Sequence, residues 1–391
     1  MKIRTFNILR LLSREFDISG LCFFRMADGA AQDKIRARVD SLREFASIEA
    51  FPIPQEHSRV RLLSDHLRSV FSRRPYTVFA YESKRFRERL EQLVATTNPD
   101  IVHVDSLDLS GYLPIVTQRP TVCVHHNVES QLLRRRGEGM RRPLGNYLEH
   151  QANLMQREEI EWMPKVDLNV MVSPQDRDSM AAMSPASRFV VVPNGVDTRV
   201  FSMAPRDGRA GIVFVGGYTW QPNRDAMAYF CEEVLPRLRR DGFDGPVTWV
   251  GRAPGSVREE YRRTFGVVLT GYVEDIRPVV QSAACYVVPL RSGGGTRLKI
   301  LDAWAMGMPV VSTSVGCEGL ATEDGENILI RDDPAAFADA VQLVLRDPGR
   351  QTSLGRAARA TAERVYDWEV IGRDMLPHYR SVLNQRGAAE G

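Results

Sequence analysis

The sequence predicts an α/β protein made of two doubly wound, Rossmann-like lobes that face each other across a cleft. The chain has 391 residues, which is too long for one ordinary core. In its second half, short apolar runs alternate with helix-periodic segments, as in a parallel sheet covered on both faces. Residues 202–210 are rich in turn formers and predict a linker. We expect a first lobe over residues 1–204, a second over 205–366, and a final helix over 367–391 that packs back toward the first lobe.

Composition and charge exclude several classes of protein. With 43% hydrophobic and 26% charged residues, the chain is typical of a soluble globular protein. The net charge of +3 is too small to favour nucleic acid as a partner. The five cysteines are scattered without a Cys-x-x-Cys pair, which favours core residues in a reducing compartment over a metal or redox site. No apolar run approaches the roughly 20 residues of a membrane span, and the first residues lack a signal-peptide core. We therefore expect a cytoplasmic protein.

The first lobe is predicted to open with a helix, residues 4–16, followed by a strand at 18–24. A doubly wound lobe normally begins with a strand and a glycine loop, so we expect that a short upstream piece carrying both is missing. Two further helices are predicted at about 32–46 and 80–97, joined by a polar, arginine-rich connection. The other predicted elements are a helix at about 145–162 and strands at 101–104, 121–130, 166–172 and from 190, of which the one at 121–130 ends in polar residues.

The second lobe repeats strand and helix. Its predicted strands lie at 212–216, 247–250, 267–270, 285–290, 310–313 and 327–330. Its predicted helices lie at 223–240, 255–264, 275–283, 333–346 and 350–364, and a last one at 368–383.

The most informative stretch is residues 292–313, which follows the predicted strand at 285–290 and predicts a glycine loop and then a helix. Thr296 is a good N-cap residue, and Gly293, Gly294 and Gly295 let the backbone approach a ligand closely. A helix start of this kind is a ready anion site.

Two cations sharpen that prediction. Arg297 and Lys299 fall in the expected first turn, where the helix dipole disfavours bare positive charge. A diphosphate would neutralise both and use the free N–H groups. The alternative is that Lys299 only pairs with Asp302 at i,i+3, an interaction of a few tenths of a kcal/mol.

A nicotinamide enzyme is not favoured. It should show Gly-x-Gly-x-x-Gly after the first strand of a lobe and an acidic residue about 20 positions later. Here the strand at 212–215 is followed by Gly216-Gly217-Tyr-Thr-Trp-Gln, and the next strand ends in Gly251-Arg252.

Three motifs resemble those of the retaining GT-B glycosyltransferases of family 4. The likeness spans nearly the whole chain and is greatest for a bacterial branch linked to exopolysaccharide or protein-sorting gene clusters. The motifs are Phe214-Val-Gly-Gly…Pro222-Asn-Arg-Asp-Ala226, Leu269-Thr-Gly271, and Val288-Pro-Leu-Arg-Ser-Gly-Gly-Gly-Thr-Arg-Leu-Lys-Ile-Leu-Asp-Ala303. The last is long and specific.

The resemblance implies a GT-B fold and a hexosyltransferase-like, retaining reaction in cell-surface polysaccharide synthesis. A nucleotide diphosphate sugar would bind the second lobe, and a glycan or lipid-linked acceptor would enter from the first. It further implies no protein nucleophile, no metal and no cofactor, with front-face transfer in which the leaving diphosphate helps to deprotonate the acceptor.

The resemblance also assigns donor-binding residues. The family has a glutamate where this chain has Gly294, and a second one, which holds the ribose, where it has Asp302. The family also has an Arg and a Lys that bind the diphosphate. This chain has Gly217, directly after Gly216, in place of one and roughly Pro222 in place of the other. Arg297 and Lys299 would supply the missing positive charge. Gly271, Tyr272 and Val273 would contact the base through their backbone, with the Tyr272 ring either stacked on the base or covering the core.

In the first lobe, the resemblance points to His126, which is followed by Asn127 at the end of a predicted strand. Its side chain would hydrogen-bond the transferred sugar and stabilise an oxocarbenium-like transition state. His125 is the neighbour with which it could be confused. Glu129 would be a nearby acid or, more simply, would cap a helix.

Two alternatives stay open. The arginines 134, 135, 136, 141 and 142 favour a solvated face, the sharper alternative being attraction to an anionic acceptor or to the inner face of the membrane. The substitutions at positions 294 and 302 and the absent first strand also suit a catalytically weak homologue that acts as a nucleotide-binding or assembly partner.

Overall fold

The chain forms two compact α/β units. The computed structural model describes residues 3–25, 32–138, 140–205, 208–294 and 297–387. One unit comprises residues 1–193 together with 372–391, and the other comprises residues 194–371. All strand pairings within the described residues are parallel.

The strands of the first unit form two separate sheets. One pairs β1 (Ser19–Phe24) with β2 (Ser47–Pro52), and the other has the order β3-β4-β5-β6. The strands of the second sheet are β3 (Val102–Val104), β4 (Thr121–His125), β5 (Leu168–Met171) and β6 (Phe189–Val191). Every residue of β4 and β5 is buried, as expected for strands covered by helices on both faces.

Helices surround these two sheets. They are α1 (Ile3–Leu12), α2 (Gln32–Arg43), α3 (Arg59–Phe71), α4 (Tyr76–Ala80), α5 (Lys84–Thr97), α6 (Leu113–Val116), α7 (Glu129–Gly137), α8 (Leu144–Trp162) and α9 (Pro174–Met183). Short 3₁₀ turns lie at Pro54–His57, Leu107–Tyr112 and Met163–Lys165.

The predicted polar connection between residues 46 and 80 is wrong, because this stretch holds β2, α3 and α4. Five arginines gave it a polar character. In addition, α3 buries Asp65 and Ser69 while its leucine and valine side chains are exposed, which inverts the usual pattern of an amphipathic helix.

The second unit has a single six-stranded sheet in the order β12-β11-β10-β7-β8-β9. Its strands are β7 (Ile212–Val215), β8 (Val247–Val250), β9 (Val267–Leu269), β10 (Cys285–Val288), β11 (Val310–Ser312) and β12 (Leu329–Ile330). The strand order reverses between β7 and β10. In a doubly wound sheet, ligands bind at such a switch point, outside the carboxyl ends of the strands.

The helices of this unit follow the predicted alternation. They are α10 (Gln221–Tyr229), α11 (Leu235–Arg240), α12 (Gly255–Phe265), α13 (Arg277–Gln281), α14 (Leu298–Ala305), α15 (Pro334–Arg346), α16 (Pro348–Thr361) and α17 (Trp368–Gly387). A π-helical turn at Phe230–Val234 joins α10 to α11, another lies at Ala362–Tyr366, and a 3₁₀ turn lies at Val315–Cys317.

One continuous apolar core holds the second unit together. Phe214 of β7, Tyr286 of β10, Trp304 of α14 and Phe337 of α15 are among its largest fully buried side chains. Because α14 is packed into this core, its second residue, Lys299, is held beside Phe214 of β7.

From Gly372 onward, α17 packs within the first unit. A Cβ atom on Gly372 would lie 2.6 Å from Leu11 of α1, so only glycine lets the two helices approach this closely. The Tyr379 hydroxyl lies 2.8 Å from Nδ1 of His103, and the Arg380 guanidinium donates to both carboxylate oxygens of Glu15 at 2.8 and 2.6 Å.

An ion pair between the partly exposed Arg74 and the buried Glu158 joins the segment after α3 to α8. Arg74 donates to Glu158 at 2.7 and 3.2 Å, and Ser110 Oγ and Trp162 Nε1 donate to the same carboxylate at 2.8 and 3.1 Å. Removing this carboxylate would leave the buried Ser110 and Trp162 donors without their acceptor.

We expect Glu158→Ala to lower the free energy of unfolding by about 1–3 kcal/mol, because it leaves the buried Trp162 and Ser110 donors without an acceptor, while water can solvate the partly exposed Arg74. The control is Glu161, an exposed residue of the same helix as Glu158, whose carboxylate pairs with Lys165 at 2.9 Å. Glu161→Ala should cost less than about 1 kcal/mol. Urea denaturation followed by circular dichroism measures both, and equal losses would contradict the structural role assigned to Glu158.

Candidate donor site and histidine cluster

The candidate donor site lies where β7, β8, β9 and β10 end in glycine-containing loops. Gly216 donates its N–H to the carbonyl of Val250, and its own carbonyl accepts from Trp249 Nε1 at 2.9 Å. A Cβ atom on Gly216 would lie 2.6 Å from the Asn223 amide, so this position requires glycine. These contacts hold the backbone of Gly216 and Gly217 in place, as a loop that binds a ligand requires.

Asn223 connects this loop to α14. Its Nδ2 donates to the Gly217 carbonyl at 3.0 Å, and its Oδ1 accepts from Lys299 Nζ at 2.8 Å. Asn223 is buried in the first turn of α10. A single carboxamide therefore fixes both the loop after β7 and the Lys299 ammonium.

The glycine loop after β10 packs against the start of α10. Gly293 has a φ angle of +119°, and a Cβ atom there would lie 3.3 Å from the Trp220 ring and 3.4 Å from Pro222. Backbone strain and crowding together require glycine at this position. Gly295 and Thr296, both predicted to bind the donor, lie outside the described residues.

The predicted N-cap is wrong. Helix α14 begins at Leu298, so Arg297 occupies the N-cap position, and its side chain makes no capping hydrogen bond. Lys299 is the second residue of this helix.

The Arg297 guanidinium is buried beneath the loop. Nε donates to the Val315 carbonyl at 3.1 Å, and the two terminal nitrogens donate to the carbonyls of Gly294 and Gly293 at 3.2 and 3.0 Å. Glu318 lies 3.7 Å away. Arg297 therefore positions the glycine loop from behind and adds a positive charge to it.

Lys299 does not pair with Asp302 in the described part of the chain, so the simpler alternative to an anion site is not supported. Its ammonium lies 4.2 Å from the Phe214 ring centroid and 5.8 Å from that of Trp220. Burial, reinforced by the nearby charge of Arg297, lowers the pKa of Lys299 to about 7. A bound anion would reverse that shift.

Asp302 lies one turn after Lys299 on the same face of α14. Burial raises the pKa of its carboxyl to about 7. Hydroxyl groups of a ligand that donate to this carboxylate would stabilise its ionised form.

Gly271 and Tyr272 lie at an open cavity of about 500 Å³, which is also lined by Thr219, Arg252, Pro254 and Arg258. The Arg252 guanidinium lies 4.9 Å from the Tyr272 ring centroid, and Tyr272 is exposed. Val273 instead packs against the core. The cavity suits an aromatic ring and an anion.

The adjacent histidines 125 and 126, at the end of β4, differ in environment. His125 is buried, with Nε2 2.9 Å from Asn169 Oδ1, and burial lowers its pKa to about 4. It is therefore a neutral core residue near pH 7. His126 follows at the end of β4 with its side chain 13% exposed, and its Nε2 lies 3.6 Å from Asp105 Oδ1.

Asp105 is the centre of this cluster. Its Oδ2 accepts from Thr5 Oγ1 at 2.7 Å, and its Oδ1 lies 3.7 Å from Nε2 of His103. Burial alone would raise the pKa of Asp105, but hydrogen bonding and charge interaction with His103 and His126 outweigh burial and hold it well below its ordinary value. The carboxylate therefore remains ionised between the two imidazoles.

Glu129 is the first residue of α7, and its carboxylate accepts from Asn127 Nδ2 at 3.0 Å. The carboxylate of Glu159 accepts from the backbone N–H and the hydroxyl of Ser130 at 3.1 and 2.5 Å. Glu159, rather than Glu129, therefore caps the N-terminus of α7.

Within the arginine-rich stretch, Arg134 donates hydrogen bonds to Glu149, Asn153 and Gln156 of α8.

Sequence reasoning missed Asn223, Trp220, Arg252 and Asp105. Asp105 and Arg252 each follow a predicted strand almost directly, which is the usual place of ligand-binding residues in parallel sheets. That signal was available. The role of Asn223 depends on the approach of α10 to α14, which no local pattern reveals.

Comparisons with known proteins agree with this architecture. Residues 45–200 match the family model described as Glycosyltransferase Family 4, and residues 209–347 match the one described as Glycosyl transferases group 1. The chain is 29% identical over 242 residues to a phosphatidyl-myo-inositol mannosyltransferase of Mycobacterium leprae, covering 56% of this chain and 61% of that protein. It is 27% identical over 135 residues to an uncharacterized 44.6 kDa protein in the cps region of Klebsiella pneumoniae, covering 32% of this chain and 35% of that protein. The matches thus span only about a third to three fifths of these curated relatives.

A solved structure shows the same fold over almost the full length. Anabaena Alr3699/HepE in complex with UDP and glucose superposes with a TM-score of 0.64 and 14% identity, covering 97% of this chain and 96% of that chain. The chain therefore has the GT-B fold and carries a glycosyltransferase family 4 domain over residues 45–200 and a group 1 glycosyl transferase domain over residues 209–347.

Proposed function

We propose that this protein is a retaining glycosyltransferase that moves a sugar from a nucleotide diphosphate sugar to a glycan or lipid-linked acceptor in cell-surface polysaccharide synthesis. The observation that carries the proposal is the pair of glycine loops at the switch point between β7 and β10, with the Lys299 ammonium held between them by Asn223. Such a site suits a diphosphate.

The donor would be bound by residues of α14 and of the loops after β7, β8, β9 and β10. Lys299 and the backbone of Gly216, Gly217 and the 293–296 loop would hold the diphosphate, while Arg297 supports that loop and adds charge. Asp302 would accept the ribose hydroxyls. The base would lie in the cavity beside Gly271 and Tyr272, where Arg252 adds a further cation.

The relatives support this substrate class. Solved structures of Anabaena Alr3699/HepE contain UDP with glucose, and UDP-glucose. The M. leprae relative is a mannosyltransferase by name, and the K. pneumoniae relative comes from a cps region. We extend the use of a nucleotide sugar, and a role at the cell surface, from those proteins to this one.

For the transfer, we propose front-face chemistry with retention and without a metal ion. His126 would hydrogen-bond the transferred sugar and stabilise the oxocarbenium-like transition state. Asp105 would act as a positioning residue that holds the His126 ring by charge, with its Oδ1 3.6 Å from His126 Nε2.

A second candidate is a catalytically weak homologue that binds nucleotide and serves as an assembly partner. Two observations favour it. Gly294 replaces a carboxylate of the family motif, and the Arg297 guanidinium already donates to the loop carbonyls, which leaves Lys299 as the main cation for the diphosphate.

A panel of UDP-, GDP-, ADP- and TDP-sugars separates these two candidates. We expect one donor to yield free nucleoside diphosphate with the purified chain in the presence of EDTA, and NMR of the product to show the anomeric configuration of the donor. His126→Ala should abolish most turnover while leaving nucleotide binding within about threefold. Nucleotide binding without any turnover would favour the assembly partner, and an inverted product would contradict retention.

The pKa of Lys299 predicts how the affinity for UDP, the nucleotide used in this test, depends on pH. At pH 8 the amine is mostly neutral in the free protein, because its pKa is about 7. A bound diphosphate raises that pKa, so binding takes up close to one proton, and the affinity falls by up to about tenfold per pH unit above pH 8. Isothermal titration calorimetry in two buffers of different ionisation enthalpy measures the uptake.

Two variants test the source of that proton. Lys299→Arg should still bind UDP but without proton uptake, because a guanidinium stays charged at every accessible pH. Asp302→Asn should bind more weakly yet keep the uptake at pH 8. Undiminished uptake in Lys299→Arg would show that another group takes the proton and would remove Lys299 from the diphosphate site.

For Asp105, we expect Asp105→Asn to lower kcat by at least about tenfold with little change in the donor KM, because the charge that holds His126 is lost. If Asp105 acts only through His126, the double variant Asp105→Asn/His126→Ala should be no slower than His126→Ala alone.

The matched control for that cycle is His103→Gln, which removes the other imidazole beside Asp105. It should change kcat by less than about threefold. Additive losses in the double variant would assign Asp105 an independent role in stability or chemistry instead.

A further inference from the structure

Helix α3 turns its polar side toward the first unit and its apolar side to solvent. Asp65 and Ser69 are fully buried, whereas Val60 is 78% exposed and Phe71 is 87% exposed. The helix itself is well formed, since the Ser58 side chain caps it by accepting from the Arg61 N–H at 3.3 Å.

Polar contacts fix the rotation of α3. Ser69 Oγ donates to the Arg74 carbonyl and lies 2.7 Å from Gln151 Nε2 of α8, which donates to it. His66 Nδ1 lies 2.5 Å from the Tyr147 hydroxyl, and Arg61 donates to the Glu82 carbonyl at 2.7 Å. The helix cannot turn its apolar side inward without breaking these bonds.

The apolar side forms a continuous stripe. We call it the α3 stripe, and its members, all exposed, are Val60, Leu63, Leu67, Val70 and Phe71. Their spacing of i, i+3, i+7, i+10 and i+11 places them on one face of a helix that is about 20 Å long. A row of large apolar side chains in water is the mark of an interaction surface.

Cations lie at both ends of the stripe. Arg59 and Arg73 are exposed and form no ion pair with any carboxylate in the described ranges. The start of α8 contacts α3 through Tyr147 and His66, and the residues Arg141, Arg142 and Leu144, just before and at the start of α8, are exposed. A convex apolar ridge bordered by arginines is complementary to an anionic bilayer surface.

We propose that α3 docks on the surface of an anionic phospholipid bilayer, with the α3 stripe in the interfacial region and Arg59, Arg73, Arg141 and Arg142 against the headgroups. Across the described residues, no helix is both long and apolar enough to cross a bilayer. Docking would bring the enzyme to a lipid-linked acceptor, and this purpose, though not the docking itself, rests on the proposed function.

A second copy of the chain is a less suitable occupant. Pairing two α3 stripes would bring the arginines at their ends close to the same arginines of the other copy, and like charges oppose such a contact. Lipid phosphates neutralise these arginines instead.

Sedimentation with vesicles tests the proposal without any turnover. The wild-type chain should bind vesicles of phosphatidylcholine with about 30% phosphatidylglycerol and bind phosphatidylcholine alone weakly. The variant Val60→Ser/Leu67→Ser/Phe71→Ser should lose more than tenfold in affinity, because it removes most of the exposed apolar area. Arg59→Gln/Arg73→Gln should lose about fivefold for each arginine, and added salt should weaken wild-type binding.

The control variant, Val268→Ser/Leu343→Ser, removes two exposed apolar side chains of the second unit and should bind vesicles like the wild type. Donor hydrolysis without vesicles should stay unchanged in the triple serine variant, so a failure of the proposed function and a failure of docking are distinguishable. Absence of vesicle binding by the wild type would overturn the proposal. So would a wild-type dimer that the triple variant dissociates while vesicle binding is unaffected.

Discussion

The second unit is organised around a lysine ammonium that is held by a carboxamide. Had Asn223 been an aspartate, the ion pair would have kept Lys299 fully charged and left no net charge for a ligand. The carboxamide fixes the position of the ammonium but does not neutralise it. Phe214 and Trp220 stabilise the cation through their ring faces, but burial and Arg297 still lower its pKa to about 7. The site is therefore built to gain from an anion.

Asp302 is the acidic counterpart of Lys299 on α14. Burial raises the pKa of Asp302 to about 7 and lowers that of Lys299 to about 7, so each group is only partly ionised near pH 7. An ion pair between them would have restored both charges, but the Lys299 side chain extends to Asn223 instead. A diphosphate beside the ammonium and hydroxyl donors beside the carboxyl would each restore one charge. A nucleotide carries both groups in one molecule.

The second unit was largely predictable from the sequence, because a buried parallel sheet leaves a plain signal. Its strands are short apolar runs between helix-periodic segments, and a residue hidden on both faces has no polar alternative. Several boundaries differ, however. The predicted helix at 223–240 begins at Gln221 and is interrupted by a π-helical turn at Phe230–Val234.

The first unit was less predictable for a specific reason. The rule that apolar residues face inward fails in α3, where the arginines suggested a loop and Leu63, Leu67 and Phe71 nonetheless had helical spacing. The candidate site shows the same limit. The glycine loop and its cations are local in sequence, whereas the pairing of Asp105 with His126 depends on β3 lying beside β4.

The inverted orientation of α3 has an energetic consequence. Hydrogen bonds such as those of Ser69 and His66 each contribute only about 1 kcal/mol, because water competes for the same groups. Burying one leucine side chain contributes about 1.5–3 kcal/mol. Apolar burial alone would therefore favour rotating the helix, but rotation would place leucine side chains against Gln151 and the Arg74 carbonyl, which would both lose their hydrogen bonds with Ser69. Since the polar contacts determine the rotation, the apolar area of the α3 stripe contributes nothing to folding and remains available for association.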